Sequence, residues 1–238
     1  MTEQIIVNHR FCGPPNSGNG GYVCGLLSRR ISGNAEVKLL RPIPLDTPLR
    51  IEIRDHQHAV LLHGVEPVAE AYPADTRFTG IPADLPVPPA YEQAGKASGN
   101  YIGFHEHPFP TCFVCGPQRA EKDGLRIFAG RPQGERTVAS TWIPDETLSG
   151  ADGTIHDEFI WAALDCPGAF AVAEKQMPPI VLGKLAVHIV KRVPTGEKTI
   201  VVGWKMADEG RKAYAGTAIF SASGQLFAVG RATWIWLK

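Results

Sequence analysis

The segment FIWAALDCPGAFAV (159–172) decides the fold, because it is apolar on almost every side. Its composition predicts part of a helix spanning about 157–174. A helix with so little polar surface has to be enclosed by other elements rather than laid against one face of them. We therefore expect a curved sheet to wrap around this helix.

A second helix is predicted at about 19–31, where the segment NSGNGGYVCGLLSRRI (16–31) passes from a glycine-rich turn into an apolar stretch. A short strand (5–11) precedes it. Alternating apolar residues rich in Val, Ile, Thr and aromatic side chains then predict antiparallel strands in both halves of the chain. The strand-like runs are AEVKLLRPI, PLRIEIRD, HAVLLHG and PVAEAYP in the first half, and GLRIFAGRP, RTVASTWIP, LGKLAVHIVKRVP, KTIVVGWKMAD, KAYAGTAIFSA and QLFAVGRATWIWL in the second.

The two halves share one plan and some sequence. VKLLRPIP (37–44) aligns without gaps on VHIVKRVP (187–194), which indicates an internal duplication. The stretch 76–110 is rich in Pro, Ala and Gly and shows no helical or strand periodicity, which is typical of a connector. We predict an α+β fold with an N-terminal unit (1–75), a linker (76–110) and a C-terminal unit (111–238), each a curved antiparallel sheet around a central helix.

Composition narrows the functional classes. The formal net charge of the 238 residues is zero, which argues against nucleic acid or an anionic membrane as a partner. No apolar run reaches the roughly 20 residues of a membrane helix, and the polar N-terminus lacks a secretory signal. Five scattered cysteines do not indicate a disulfide framework. We expect a cytoplasmic protein, whose sheet edges would allow a homo-oligomer.

Two segments carry a resemblance to a known family. CFVCGPQRAEKDGLRI (112–127) and FIWAALDCPGAFAV (159–172) resemble the hot-dog thioesterase superfamily, of the phenylacetate-pathway type, and both halves together look like a double hot-dog. The resemblance implies an acyl-coenzyme A substrate, with coenzyme A entering as part of the substrate and no separate cofactor. It also implies that an acidic residue on the helix, here Asp165, acts as nucleophile or general base.

Asp165 is conspicuous on physical grounds too, because an unpaired carboxylate in an apolar helix costs several kcal/mol of desolvation. The N–H groups of Gly20 and Gly21, at the start of the first helix, could stabilise the oxyanion formed during attack on a thioester. The resemblance implies a composite site, with Gly20 and Gly21 from one half facing Asp165 from the other. The alternatives are a structural hydrogen bond for Asp165, and helix–sheet packing or a flexible turn for the glycines.

Further candidates surround this constellation. Asn16, Ser17 and Asn19 could cap the helix or hold substrate. His156 beside Asp152 suggests an enoyl-coenzyme A hydratase-like reaction, although a surface histidine is the simpler interpretation. Counting along both helices places Ser28 where the other half has Asp165, so we expect one competent pocket and one degenerate pocket.

Several alternatives stay open on the sequence alone. His105, His107, Cys112 and Cys115 resemble a zinc knuckle, but no second Cys-x₂-Cys follows and the His-x-His spacing is short, so we assign no metal ligands. The glycine turn lacks a P-loop ending. The sequence favours a thioester hydrolase, with a non-catalytic acyl-coenzyme A-binding module as the main rival, and it does not indicate the acyl group.

Overall fold

The computed structural model describes residues 3–55, 57–75, 81–132, 136–173, 176 and 179–237. Ten strands form one antiparallel sheet in the order β1-β3-β4-β5-β2-β7-β10-β9-β8-β6. The strands are β1 (Glu3–Ile6), β2 (Ala35–Leu39), β3 (Pro48–Asp55), β4 (His58–His63), β5 (Glu66–Pro73), β6 (Val138–Trp142), β7 (Ile180–Ile189), β8 (Thr199–Glu209), β9 (Lys212–Ser221) and β10 (Leu226–Trp236). The α-helices are α1 (Gly20–Ser28), α2 (Tyr91–Ser98), α3 (Asp157–Ala163) and α4 (Cys166–Val172).

The strand order confirms the predicted duplication. Five strands of each half run outward from the central β2–β7 pair in equivalent order, β2-β5-β4-β3-β1 and β7-β10-β9-β8-β6. Extending the gap-free alignment by one position makes Glu36 equivalent to Ala186, and these two residues pair directly across the centre. The pseudo-twofold axis therefore passes through the junction of the two halves.

The helices pack inside this sheet as the apolar pattern predicts. In α1 the side chains of Val23, Cys24 and Leu27 are fully buried, and the helix contacts β2, β4 and β5 of its own half and β7 of the other. It also packs along α3. The helix α4 contacts β6, β7, β8 and β9. The α+β class with two sheet-and-helix units is confirmed.

One predicted helix is in fact two. The helix expected at 157–174 stops at Ala163, and α4 starts at Cys166, so Asp165 lies in the break rather than in the middle of a helix. Pro167 explains the break, because proline has no N–H to donate and its ring clashes with the carbonyl four residues earlier, that of Ala163. Residues 174, 175, 177 and 178 lie outside the described part of the chain.

Three other local predictions need correction. The connector does contain a helix, α2, which buries Ala94 and Ala97 against β6. The first residues of the connector, 76–80, lie outside the described part of the chain. The predicted strand 124–132 is irregular except for one bridge between Gly130 and Ala139, and the first strand ends at Ile6. Within the described ranges, no helix combines the length and apolar character needed to cross a bilayer.

Candidate active site

A cavity of about 530 Å³ opens where the two halves meet. Its wall combines the turn before α1, the end of β2 and the loop after it, the segment around Cys112, helix α4, and strands β7 and β10. The lining is mostly apolar, with Leu39, Ile43, Phe109, Phe170 and Leu182 among its side chains. Such a cavity suits a ligand with a hydrophobic portion.

Asp165 is the buried acid in this wall, with 2% of its surface exposed. Its Oδ2 accepts hydrogen bonds from the Gly21 N–H (2.9 Å) and from Nδ2 of Asn19 (3.0 Å). Its Oδ1 is buried and has no partner among the described residues. Burial raises the pKa of Asp165 to about 7, and the hydrogen bonds from Gly21 and Asn19 oppose part of that rise.

The two predicted glycines have different surroundings. A Cβ at Gly21 would lie 2.6 Å from the Asp165 Cβ and 2.7 Å from the Trp161 carbonyl oxygen, so the close approach of α1 to α3 requires glycine there. Its N–H is already engaged by Asp165. The N–H of Gly20 has no acceptor among the described residues, and Gly20 lines the cavity. Of the two proposed oxyanion donors, Gly20 is the one that is unoccupied.

The predicted substrate-binding residues divide into two groups. Asn19 and Ser17 line the cavity but have structural partners: Asn19 caps α1 by accepting from the Tyr22 N–H, and Ser17 Oγ accepts from the Ile43 N–H. Asn16 and His156 are exposed and lie outside the cavity wall. Asn16 instead adopts a φ of 61° in the turn before α1, and His156 is the residue before the first turn of α3.

The contact around Ser28, which is equivalent by pseudo-symmetry to the contact around Asp165, lacks a buried carboxylate in a cavity wall. Ser28 Oγ donates to the Gly25 carbonyl oxygen, and the nearby carboxylate is that of Glu158, which pairs with Arg29. Neither Ser28 nor Glu158 belongs to the cavity wall. The buried acid with a free oxygen is therefore present on only one side of the pseudo-symmetric helix pair.

The cavity wall contains residues that sequence reasoning did not assign. Cys166 joins Cys112 and Cys115 there, with the three sulfur atoms within 4.8 Å of one another. Trp234 has a buried indole N–H without a partner among the described residues. Arg41 is the only arginine or lysine of the described chain in the wall. The position of Cys166 next to Asp165 in the sequence could have marked Cys166 as a candidate. Its contact with Cys112 and Cys115 could not be read from the sequence.

The arginines that follow α1 and β7 are paired with carboxylates. Arg29 pairs with Glu158, and Arg30 with Glu3. Arg192 contacts both Asp152 and Asp157. These arginines lie outside the cavity wall, whereas Arg41, which pairs with Glu66, belongs to it.

No protein-family model and no curated protein sequence matches the chain. Solved structures do resemble it. A tesB protein from Mycobacterium avium subspecies paratuberculosis superposes with a TM-score of 0.63 at 14% identity, covering 100% of this chain and 93% of that one. A protein from Novosphingobium aromaticivorans, provisionally described as a thioesterase, gives 0.62 at 11% identity, covering 100% and 96%.

A third similar structure is described by its fold, the hot-dog fold. A conserved protein of unknown function with a hot-dog fold, from Alicyclobacillus acidocaldarius, superposes with a TM-score of 0.62 at 13% identity over 100% of this chain and 93% of that one. Each of these superpositions spans both halves of the sheet. The chain therefore has the hot-dog fold over its whole length, in the duplicated form that the sequence indicates.

Proposed function

We propose that this protein hydrolyses an acyl-coenzyme A thioester in the cavity between its two halves. The observation that carries the proposal is that one apolar wall holds both a buried carboxylate oxygen and a helix-initial N–H that have no hydrogen-bond partner among the described residues. The first belongs to Asp165 and the second to Gly20. A base and an oxyanion donor are the two groups that acyl transfer to water requires.

The proposed chemistry uses Asp165 as general base. Its Oδ1 accepts a proton from a water molecule while the water oxygen attacks the thioester carbonyl carbon. The carbonyl oxygen becomes an oxyanion, and the Gly20 N–H donates a hydrogen bond to it. The carbon–sulfur bond then breaks, the leaving thiolate takes the proton from Asp165, and the carboxylic acid and free thiol depart.

The hydrogen bonds on Oδ2 support this assignment because they hold the carboxylate in one orientation. Gly21 and Asn19 fix Oδ2 through two donors on the same helix start, and Oδ1 is left as the basic atom. A base whose position is fixed before the substrate arrives loses less entropy in reaching the transition state. Gly21 in this proposal orients the base and is not an oxyanion donor.

The substrate class follows from the wall chemistry. The apolar lining suits an acyl chain, and Arg41, half exposed and paired with Glu66, suits a phosphate of coenzyme A. The likeness to the tesB protein and to the provisionally described thioesterase supports thioester chemistry.

The test is Asp165→Asn, measured by thiol release from acyl-coenzyme A substrates of several chain lengths. The amide oxygen can still accept from Gly21 and Asn19, so the fold is retained, but the base is lost. We expect kcat to fall by about 10²–10⁴-fold with KM little changed. The matched control is Glu158→Gln, a buried carboxylate outside the cavity, which should keep its turnover. Unchanged turnover in Asp165→Asn would exclude Asp165 as the base.

Binding of acyl-coenzyme A without turnover is the second candidate. The engagement of the Gly21 N–H by Asp165 favours it, because one of two expected oxyanion donors is thereby removed. A binding module would show saturable acyl-coenzyme A affinity in the wild type with no thiol release. Asp165→Asn would then have the same acyl-coenzyme A affinity as the wild type and would likewise release no thiol.

A further inference from the structure

Three cysteine side chains from two distant parts of the chain meet in the cavity wall. Cys112 and Cys115 belong to the segment after α2, and Cys166 begins α4. Their sulfur atoms all lie within 4.8 Å of one another, and the Sγ atoms of Cys112 and Cys166 are 3.7 Å apart. All three residues are buried, with at most 7% of their surface exposed.

The separation of these sulfur atoms matches metal ligation better than a disulfide. A disulfide requires about 2.05 Å between the two sulfur atoms, and the three residues are free thiols. Tetrahedral zinc with Zn–S bonds of about 2.3 Å places its sulfur ligands about 3.8 Å from each other. The 3.7 Å between Cys112 and Cys166 is close to that edge length.

A tight turn of the backbone carries Cys112 and Cys115. The backbone N–H of Gly116 donates a 2.9 Å hydrogen bond to the Cys112 carbonyl oxygen, which closes the turn. Gly116 makes the turn possible, because a Cβ there would lie 2.5 Å from the Cys112 nitrogen and 2.6 Å from the Pro110 oxygen. The turn therefore holds the sulfur atoms of Cys112 and Cys115 close to each other and to that of Cys166.

His107 adds a donor beside this cluster. Its Nε2 lies 3.3 Å from the Cys115 Sγ, and its Nδ1 accepts a hydrogen bond from the Phe109 N–H. Because Nδ1 accepts, the proton of the neutral ring is on Nε2 and points to sulfur. We therefore assign His107 as a hydrogen-bond donor to a cysteine ligand and not as a ligand itself.

We propose that Cys112, Cys115 and Cys166 bind one Zn²⁺ ion through three sulfur atoms, with the fourth position open to the cavity. The three thiols lose their protons to solvent as the metal–sulfur bonds form, and no electron is transferred. Thiolate ligands select zinc over the hard cations that prefer oxygen. An open fourth position facing a ligand cavity is the arrangement in which zinc contacts a water or a substrate group.

The sequence alone does not reveal the site, because only two of its three ligands are close together in the chain. The Cys-x₂-Cys pair is visible, but its third ligand is 54 residues away and carries no second Cys-x₂-Cys. Only the docking of α4 against the segment around Cys112 brings that sulfur into place. The site does not depend on the proposed hydrolysis, because metal content is measured without substrate.

The experiment uses the full chain, purified under reducing conditions without chelator. We expect stoichiometric zinc by elemental analysis and proton release when zinc is added back to metal-free protein. Cobalt in place of zinc should give the ultraviolet thiolate-to-cobalt charge-transfer absorption and the visible bands of tetrahedral coordination. Iron in place of zinc, or failure of the wild type to bind either zinc or cobalt, would overturn the assignment.

Two further measurements identify the ligands. Cys166→Ser should lose the charge-transfer intensity of one thiolate and bind zinc at least tenfold more weakly, whereas Cys24→Ser, also buried but outside the cluster, should bind as the wild type does. Differential alkylation of the wild type, read by mass spectrometry, avoids any dependence on variant folding. Zinc should protect Cys112, Cys115 and Cys166 among the five cysteines, and protection of a different set contradicts the proposal.

Discussion

The backbone N–H of Gly21 donates a 2.9 Å hydrogen bond to Oδ2 of Asp165, joining the start of α1 in the first half to the break between α3 and α4 in the second. One contact thus explains both the glycine at the helix start and the acid in an apolar segment. Glycine lets the helices approach, and the N–H groups at the positive end of α1 accommodate the buried carboxylate. The remaining carboxylate oxygen is what makes the contact a candidate for chemistry.

Removing the Asp165 side chain should destabilise the protein more than converting it to an amide. Asp165→Ala leaves the Gly21 N–H buried without an acceptor, at a cost of about 1–3 kcal/mol, and leaves the Asn19 Nδ2 with only its weak contact to the Cys112 sulfur at 3.9 Å. Asp165→Asn keeps an oxygen for both donors. Urea unfolding of the two variants measures the difference, and equal losses of unfolding free energy would contradict the hydrogen-bonded role of Oδ2.

Substitution by alanine should lower the stability of the protein more at Gly21 than at Gly20. At Gly21 it meets the Trp161 carbonyl and the Asp165 Cβ, so Gly21→Ala should lower the unfolding free energy by about 2 kcal/mol as α1 and α3 move apart. At Gly20 its nearest contacts are the methyl ends of Leu39 and Leu182, which can rotate away, and the Leu182 Cβ lies farther off at 3.2 Å. Gly20→Ala should therefore unfold closer to the wild type. Thermal melting compares them, and the reverse order would show that the helix contact is not tight.

Arg41 should recognise the phosphate of coenzyme A. Arg41→Ala is expected to raise KM by about tenfold, because a hydrogen bond to a charged group contributes about 1.5 kcal/mol. The kcat should change little, since the side chain is remote from the reacting carbonyl in the proposal. Arg54→Ala, an exposed arginine on β3 outside the cavity, is the control. A KM for pantetheine thioesters that rises as much as that for coenzyme A thioesters would exclude phosphate recognition.

The cavity size should limit the acyl chain. Ala169 lies on α4 in the cavity wall, and Ala169→Phe places a ring in the roughly 530 Å³ space. We expect kcat/KM for long acyl chains to fall by about tenfold or more relative to acetyl-coenzyme A, since lost apolar contacts of one or two methylene groups already reach that size. The ratio of kcat/KM between the two substrates provides an internal control, because it is measured on one protein preparation. A ratio unchanged from the wild type would mean that the acyl chain binds elsewhere.

Much of the architecture was predictable because it follows from local patterns. Alternating apolar residues mark the strands, and the helices around Val23 and Ile160 are apolar on nearly all sides. The match between residues 37–44 and 187–194 indicated the duplication, and the structure shows that these segments contribute to the central strand pair, β2 with β7. Pro167 is the local signal for the break between α3 and α4.

The site was predictable only in part. Asp165 could be singled out because a lone acid in an apolar segment is costly wherever that segment is buried. The function of Gly21 as its partner, and not as a free donor, depends on how α1 docks against α3 across 144 residues. The same dependence governs Arg41, which enters the wall only because the loop after β2 folds over the cavity.

The sequence by itself determined the duplicated plan, the wrapped helices and the acid that needs a partner, because burial and periodicity are properties of each segment taken alone. Only the tertiary structure decided which atoms meet: Asp165 with Gly21, and Cys166 with Cys112 and Cys115. The first contact depends on how the two halves are placed relative to each other, and the second depends on how α4 docks against the segment around Cys112. No local pattern encodes these placements, because each results from close packing over a whole interface.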